Sequence, residues 1–286
     1  MILLIGSCGY IGTPLYSMLT KMDAKVHCID ICRRGNPASI PVQVTDYGLL
    51  RYEDLIHYDT VILLAGHSSV ADATADPNGA FRNNVVQFHR LLELLKDHQR
   101  LIYASSSSVY SGFGATVASE DAVAQTNMYD FSKLVDDALA TMSGKQCYGL
   151  RFGTVNGPSA NIRNDLMLNR MVDTALREKQ VVIQNPKVRR PVLGIHDLAR
   201  AVSAIVNGDG APGIYNLASF NSTVASLGAT VADELNVPLV LGEPTPTYDF
   251  AIHTTKFQEA YNFQFQETAV SIVRDLIGGH NGGNGQ

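Results

Sequence analysis

The sequence contains no tryptophan and only four cysteines, Cys8, Cys28, Cys32 and Cys147. No two of them form a CxxC pair, and their spacings match neither a disulfide framework nor a zinc site. They read as free thiols of a reducing compartment, and no metal is expected. Charge is scarce as well: 17% of the 286 residues are charged, and the net charge is -5. With 45% hydrophobic residues, that composition argues against disorder. Basic residues never run beyond two pairs, Arg33-Arg34 and Arg189-Arg190, so no nucleic-acid surface is expected. Long apolar runs are missing too. Met1–Ile5 is apolar, but Gly6 ends it. The run is too short to cross a membrane and lacks the basic start of a signal peptide. The expectation is a cytoplasmic protein with neither nucleic acid nor membrane as partner.

What is present is alternation. Ile2–Ile5, Lys25–Ile29, Val42–Val44, Val61–Ala65, Leu101–Ser105 and Gln146–Phe152 read as strands. Tyr10–Lys21, Gly48–Ile56, Gly79–His98 and Met128–Met142 read as helices. Strands alternating with helices predict βαβ units and a parallel sheet. Such a sheet is buried on both faces, which suits unbroken apolar runs such as Val61-Ile62-Leu63-Leu64-Ala65. After Gly157-Pro158 the rhythm changes. Helices are expected at Asp165–Lys179, Asp197–Val206 and Val224–Leu235, and strands at Val181–Ile183 and Gly213–Leu217. Asp197 would cap its helix or favour its positive end. Lys187–Arg190 reads as a basic turn, and the Gly/Asn-rich Gly279–Gln286 as a frayed end.

Gly6-Ser7-Cys8-Gly9-Tyr10-Ile11-Gly12 follows the first strand and opens a helix. Glycines there allow a tight turn that brings backbone N–H groups to a pyrophosphate at a helix N-terminus. Asp30 closes the second strand 18 residues after Gly12, where a carboxylate accepts hydrogen bonds from ribose hydroxyls. Its charge repels a 2′-phosphate and favours NAD over NADP. Arg33 and Arg34 would either clamp such a phosphate or face solvent. Asp46 and Tyr47 follow the third strand. Asp46 would meet the adenine edge or merely cap a turn.

Tyr129-Asp130-Phe131-Ser132-Lys133 places a Tyr and a Lys four apart, on one helix face. An ammonium near a phenol favours the phenolate, which makes Tyr129 a candidate general base. Upstream, Leu101–Ser105 runs into four consecutive serines, Ser105 to Ser108. The carboxyl end of such a strand is where ligands sit in these sheets.

The ordered series GxxGxxG, Asp30, LLAG, NNV, YASSSSVY, YxxxK and LRFGTVNGPS resembles the extended short-chain dehydrogenase/reductases. More narrowly, it is similar to the NAD-dependent sugar epimerase/dehydratase family, over roughly residues 1–275. The resemblance implies an α/β fold: a Rossmann-type doubly wound parallel sheet over 1–156, rejoined by about 191–218, with a small C-terminal substrate lobe over 157–286. It implies NAD, and a homodimer through a four-helix interface built from Gly79–His98 and Met128–Met142. Carried over by position, Tyr129 is the acid/base, Lys133 orients the nicotinamide ribose, and Ser106 bonds the reacting hydroxyl. Leu64, Ala65 and Gly66 match the segment under the dinucleotide, and Asn84 an Asn near it. His67 and Ser107 lie where a sugar would be touched.

Family dehydratases follow the Ser/Thr with an Asp-Glu pair that does the acid/base work of water loss. Here Ser107 and Ser108 stand there, poor at both tasks. The expected activity is therefore a nucleotide-sugar 4-epimerase working through a transient keto sugar. The alternatives are a dehydrogenase or reductase of a sugar nucleotide or other carbonyl, and a non-catalytic dinucleotide-binding protein. Thr154 stands where the family commonly has a substrate Asn, and Asn156 replaces the usual Tyr. The following segment resembles a branch reading SPxxRxDL, similar to enzymes acting on GDP-heptoses, so the nucleotide stays open. Arg163 and Arg190 are the candidates for the diphosphate, since Arg forks match phosphate oxygens. Arg189 is a secondary candidate, and His196 reads as structural. The C-terminal lobe is short, which implies a smaller or more open sugar site, or one that recognises no nucleotide.

Overall fold

The computed structural model describes residues 1–113, 116–120, 123 and 126–283. The first half runs β1 (Ile2–Ile5), α1 (Gly12–Lys21), β2 (Val26–Asp30), β3 (Gln43–Val44), α2 (Tyr52–Leu55) and β4 (Thr60–Leu63). There follow α3 (Val70–Ala75), α4 (Pro77–Ala80), a π-helical stretch Phe81–Val86, α5 (Gln87–Leu94) and β5 (Arg100–Ser106). Next come β6 (Thr116–Ala118), α6 (Met128–Met142), β7 (Gln146–Phe152), β8 (Thr154–Asn156), α7 (Met167–Glu178), β9 (Val181–Ile183) and β10 (Arg189–Gly194). The chain closes with α8 (Ile195–Asn207), β11 (Gly213–Leu217), β12 (Phe220–Thr223), α9 (Val224–Leu235), β13 (Leu239–Leu241), β14 (Phe250–Ile252), α10 (Thr255–Tyr261) and α11 (Ala269–Gly283).

Seven strands form one parallel sheet in the order β11-β7-β5-β4-β1-β2-β3. Successive side chains along each strand point to opposite faces, and both faces are covered. Leu4, Ile62, Ile102 and Leu150 pack with Leu15 of α1 and Leu198 of α8; Leu3, Val61 and Leu101 pack with Phe88 and Leu91 of α5. That double burial is why these strands read as unbroken apolar runs. The strand order reverses between β1 and β4, so the loops leaving their carboxyl ends part and open a crevice.

A second sheet, β12-β10-β8, lies beside the first, with β10 parallel to β8 and antiparallel to β12. Its core joins Leu168 and Val172 of α7, Leu227 and Val231 of α9, and Ile272 and Leu276 of α11. The two sheets are stitched across the chain. The Tyr10 hydroxyl donates to the Gly157 carbonyl at 2.9 Å, Thr13 Oγ1 meets Ser159 Oγ at 2.7 Å, and Asn161 Nδ2 donates to the Cys8 carbonyl at 2.9 Å.

Several expectations need correction. The helix expected at Gly48–Ile56 is a 3-10 turn, Tyr47–Leu49, followed by the short α2, because Asp46 accepts the Gly48 N–H and Asp54 accepts the Arg51 N–H. Gly79–His98 starts earlier, with Asp76 capping and Pro77 at the first position, and stops at Leu94. There Gln99 turns the chain by accepting from Lys96 N and donating to the Leu55 and Tyr58 carbonyls. Arg189 and Arg190 open a strand, not a turn, since β10 has β8 and β12 on its two sides. Asp197 does not cap α8, which begins at Ile195. Its carboxylate is fully buried and accepts the Gln266 and Glu267 N–H groups at 3.0 and 2.9 Å. The expected frayed end is helical as far as Gly283, and 284–286 lie outside the described residues.

Candidate active site

The crevice between β1 and β4 is a cleft of about 570 Å³. Its floor is the glycine turn. Gly6 has φ +90°, a left-handed backbone that L side chains rarely adopt, and a Cβ there would sit 2.6 Å from the Ala65 nitrogen. A Cβ at Gly12 would lie 2.6 Å from the Ser7 carbonyl oxygen and overlap that of Gly6. The turn therefore excludes side chains and leaves backbone open to the cleft, the cradle that a pyrophosphate fills. Gly9, Ile11, Leu64, Ala65 and Gly66 also line it.

Asp30 stands at the carboxyl end of β2, on the cleft wall. Its Oδ2 accepts the Cys8 N–H at 2.9 Å and its Oδ1 the Cys32 N–H at 2.7 Å. The carboxylate is thus held in place by the glycine turn and by a residue at φ +53°. Arg33 is exposed on the same wall beside Arg34. Asp46 and Tyr47 line it as well: Asp46 Oδ1 caps the 3-10 turn at 2.8 Å, and the buried Tyr47 hydroxyl donates to the Asn83 carbonyl. Tyr10 turns away. Its hydroxyl, whose pKa burial pushes up, accepts from Asn169 Nδ2 at 3.0 Å and ties α1 to α7.

A small second cavity, lined by Ala104 of β5 and Lys133 and Asp136 of α6, shares Tyr47 and Ala65 with the cleft. Ser106 is the last residue of β5, and Tyr129 and Lys133 lie on the first turns of α6. A buried network fixes that helix to the sheet. Asp137 pairs with Arg151 of β7 at 2.8 Å and accepts the Tyr103 and Ser105 hydroxyls of β5 at 2.9 and 3.1 Å. A buried pair with every acceptor used holds its elements in one register. Lys133 Nζ lies 3.3 Å from Oδ2 of the buried Asp136. The Tyr129 phenol is half-buried, close enough to Arg163 and to Tyr248 to bear on their ionisation. Asp130, next to Tyr129, is fully buried and accepts from Ser108 Oγ at 2.5 Å.

The expected substrate residues divide. His67 lines the cleft, its ring Nδ1 3.3 Å from Asn83 Nδ2 and its backbone N–H held by Asn84 Oδ1 at 2.8 Å. Arg163 stands on the same wall, 3.3 Å from Ser68 Oγ and paired with Asp165 at 2.5 Å. Arg190 is turned into the segment after β13. Its guanidinium donates to the Tyr248 carbonyl and Thr247 hydroxyl and lies 4.4 Å over the Tyr248 ring. It has no salt bridge among the described residues, and burial pushes its pKa down. Arg189 is taken by Asp249 at 3.3 Å.

Three of the expected residues are buried. Asn156 is fully buried, its amide spent on the Thr154 carbonyl at 2.7 Å and the Leu168 N–H at 2.9 Å, so it is a structural bracket. Ser107 is 4% exposed. Asn84 is buried behind the wall, where it holds the His67 backbone and donates to Ser132 Oγ at 3.0 Å. Thr154 is half-buried in β8. Sequence reasoning missed Asn161, Asp130 and Asp136. Asp136 left a signal, a carboxylate three residues after Lys133 on one helix face. Asp130 is held by Thr126 and Asn127 just before it and by Ser108 and Ser111 from the segment after β5.

The model of the NAD dependent epimerase/dehydratase family matches residues 2–218. A UDP-glucose 4-epimerase of Halalkalibacterium halodurans is 25% identical over 161 residues, 53% of this chain and 48% of that one. The chain thus matches about half the length of that curated relative. Among solved structures, MoeE5 in complex with UDP-glucuronic acid and NAD superposes with a TM-score of 0.84 at 23% identity, covering 99% of both chains. A UDP-glucuronic acid 4-epimerase of Bacillus cereus, with UDP-glucuronic acid and NAD, gives 0.85 at 19% identity, covering 98% of this chain and 99% of that one.

Proposed function

The chain belongs to the NAD-dependent epimerase/dehydratase family, and on that premise we propose that it is a 4-epimerase of nucleotide sugars. The observation that carries this reading is the cleft with its glycine cradle and clamped Asp30, adjoined by a small cavity that shares Tyr47 and Ala65 with it and is lined by Lys133, on the helix that also carries Tyr129. The side-chain-free turn and the clamped carboxylate fit a dinucleotide, and the carboxylate favours NAD over NADP. Bound there, NAD would supply an acceptor that takes a hydride from the sugar and gives it back. Tyr129 takes the proton of the sugar hydroxyl and later returns it. Ser106 holds that hydroxyl, and Lys133 would hold the nicotinamide ribose of a bound dinucleotide. Arg163 and Arg190 supply charge for the diphosphate.

Water loss lacks its equipment. No carboxylate follows Ser106 directly, and Asp130 is sealed among four donors. That supports epimerisation over dehydration. The proposed division is a dinucleotide domain over 1–156 rejoined by about 191–218, with the substrate lobe in 157–286. The proposed assembly is a homodimer through α6 and the helices of 77–94. It is supported by the apolar stripe of Met128, Phe131, Val135, Ala138 and Met142 along α6, with Met142 84% exposed. The proposed compartment is the cytoplasm, supported by four free cysteines. Among the described residues no helix is long and apolar enough to cross a membrane.

The test is incubation with UDP-, GDP-, CDP- and dTDP-sugars and a trace of NAD, followed by NMR and by absorbance of reduced cofactor. An isomeric sugar without net reduced cofactor is expected. Tyr129→Phe should lose about 10²–10⁴-fold in rate with its melting curve unchanged. Stoichiometric reduced cofactor would instead identify a dehydrogenase.

A further inference from the structure

Ser106 does not stand alone at the end of β5. Its Oγ lies 2.8 Å from Ser108 Oγ, which lies 2.5 Å from Oδ1 of Asp130. The other oxygen of Asp130 accepts from Ser111 Oγ, Thr126 Oγ1 and Asn127 Nδ2 at 3.1, 3.1 and 2.7 Å. Counting hydrogens gives the chain a direction. A carboxylate accepts and does not donate, and a serine has one hydroxyl hydrogen. Ser108 spends its hydrogen on Asp130 and has none left for Ser106. The bond between the serines must therefore run from Ser106 to Ser108. The Ser108 N–H adds a second bond to Ser106 Oγ at 3.2 Å. Ser106 thus gives its only hydrogen to the protein and keeps a lone pair for whatever meets it.

We propose that Asp130 is a positioning residue which, through Ser108, fixes Ser106 as a hydrogen-bond acceptor, so that the site prefers the hydroxyl form of its substrate to the carbonyl form. The proposal rests on the reading of Ser106 as the residue that touches the reacting hydroxyl. A hydroxyl can donate to Ser106. To react, that hydroxyl turns its one hydrogen from Ser106 to Tyr129, which takes it as a proton; once the carbon has also given up its hydride, which a bound dinucleotide would accept, the sugar oxygen is a carbonyl with nothing to donate. Its lone pairs then face those of Ser106, and the contact turns from attractive to repulsive. The keto sugar is held poorly as an intermediate, and return of the hydride relieves the mismatch. An enzyme that reduces what it has just oxidised benefits from that polarity, whereas a dehydrogenase does not.

Neutron diffraction of the deuterium-exchanged protein tests the direction without any substrate. The deuteron of Ser106 should point at Ser108 Oγ and that of Ser108 at Asp130. A Ser106 deuteron pointing away from Ser108 overturns the proposal whatever the enzyme acts on. Ser108→Ala tests the consequence while leaving the other three donors on Asp130. It frees the Ser106 hydrogen for a carbonyl, so with UDP-glucose as probe the fraction of bound cofactor found reduced at steady state should rise severalfold. An unchanged fraction in a variant that still turns over also overturns it. A wild-type protein that converts no nucleotide sugar counts against the proposed activity instead, and the deuteron positions still decide this point.

Discussion

The ammonium of Lys133 lies 3.3 Å from the carboxylate of Asp136, one helical turn along α6, and both residues are buried. Oδ1 of Asp136 has no hydrogen-bond partner among the described residues. Burial pushes this carboxyl up to about 7, against the pull of Lys133. Removing one member of such a pair leaves the other uncompensated, at a cost of about 3 kcal/mol. Lys133→Met should therefore lose both stability and turnover. Adding Asp136→Asn should restore most of the stability and none of the turnover. Urea unfolding beside a sugar-conversion assay separates the two, and a double variant as unstable as the single one would break the pairing argument.

Asp30 joins the two backbone N–H groups of Cys8 and Cys32. Asp30→Ala removes that clamp together with the acceptor for ribose hydroxyls. NAD affinity should fall about tenfold or more, since hydrogen bonds to charged groups contribute about 1.5–3 kcal/mol each. NADP should lose less, because its 2′-phosphate no longer meets a carboxylate beside Arg33 and Arg34. Calorimetric titration with both dinucleotides gives the ratio. An unchanged ratio would move Asp30 away from the ribose.

Glu267 accepts the Asp197 N–H at 2.7 Å in the first turn of α8. Burial is the main cause that lifts its carboxyl to about 7, with Asp197 and Asp275 adding repulsion. His196 pairs with Asp275 across 3.6 Å on the same side. The folded protein holds a proton here that the unfolded chain gives up near 4.5. Stability from this group is thus complete below about 4.5 and is lost as pH rises to about 7. Glu267→Gln, which can still accept from Asp197, should melt above wild type at pH 8. The gap should close as pH falls through that window. Parallel melting curves at every pH would show that Glu267 does not titrate there.

Phe131 is 40% exposed in the middle of the apolar stripe on α6. The opposite face of that helix carries Lys133, Asp136 and Asp137. Replacing Phe131 by Asp places a charge at the centre of the proposed dimer seam without touching those groups. Sedimentation velocity should show a dimer for wild type and a monomer for the variant. A monomeric wild type at micromolar concentration would remove the homodimer.

Features that depend on neighbours in sequence were readable from the start. The glycine turn, Asp30 and the Tyr129–Lys133 spacing are local patterns, and the seven-stranded sheet announces itself because burial on two faces demands unbroken apolar runs. Features set by packing were not. Asn156 and Ser107 have the right chemistry to touch a sugar, yet Asn156 is consumed by the start of α7 and Ser107 faces inward. The strands at Leu239–Leu241 and Phe250–Ile252 have three residues each, too few to show a period. The glycines after Ile277 read as a frayed tail, but Ile272, Val273 and Leu276 anchor the preceding turns of α11, and propagation of a formed helix is inexpensive.

The bonds from Tyr10, Thr13 and Cys8 to Gly157, Ser159 and Asn161 span 147, 146 and 153 residues. During synthesis, the residues that form the phosphate turn leave the ribosome long before the partners that brace it. Contacts so distant along the chain close late and slow the search for the native state. A nascent first half would therefore have the strands of a dinucleotide-binding protein without a finished binding site. In refolding experiments, NAD binding should appear with the slowest phase, after most of the secondary structure has formed.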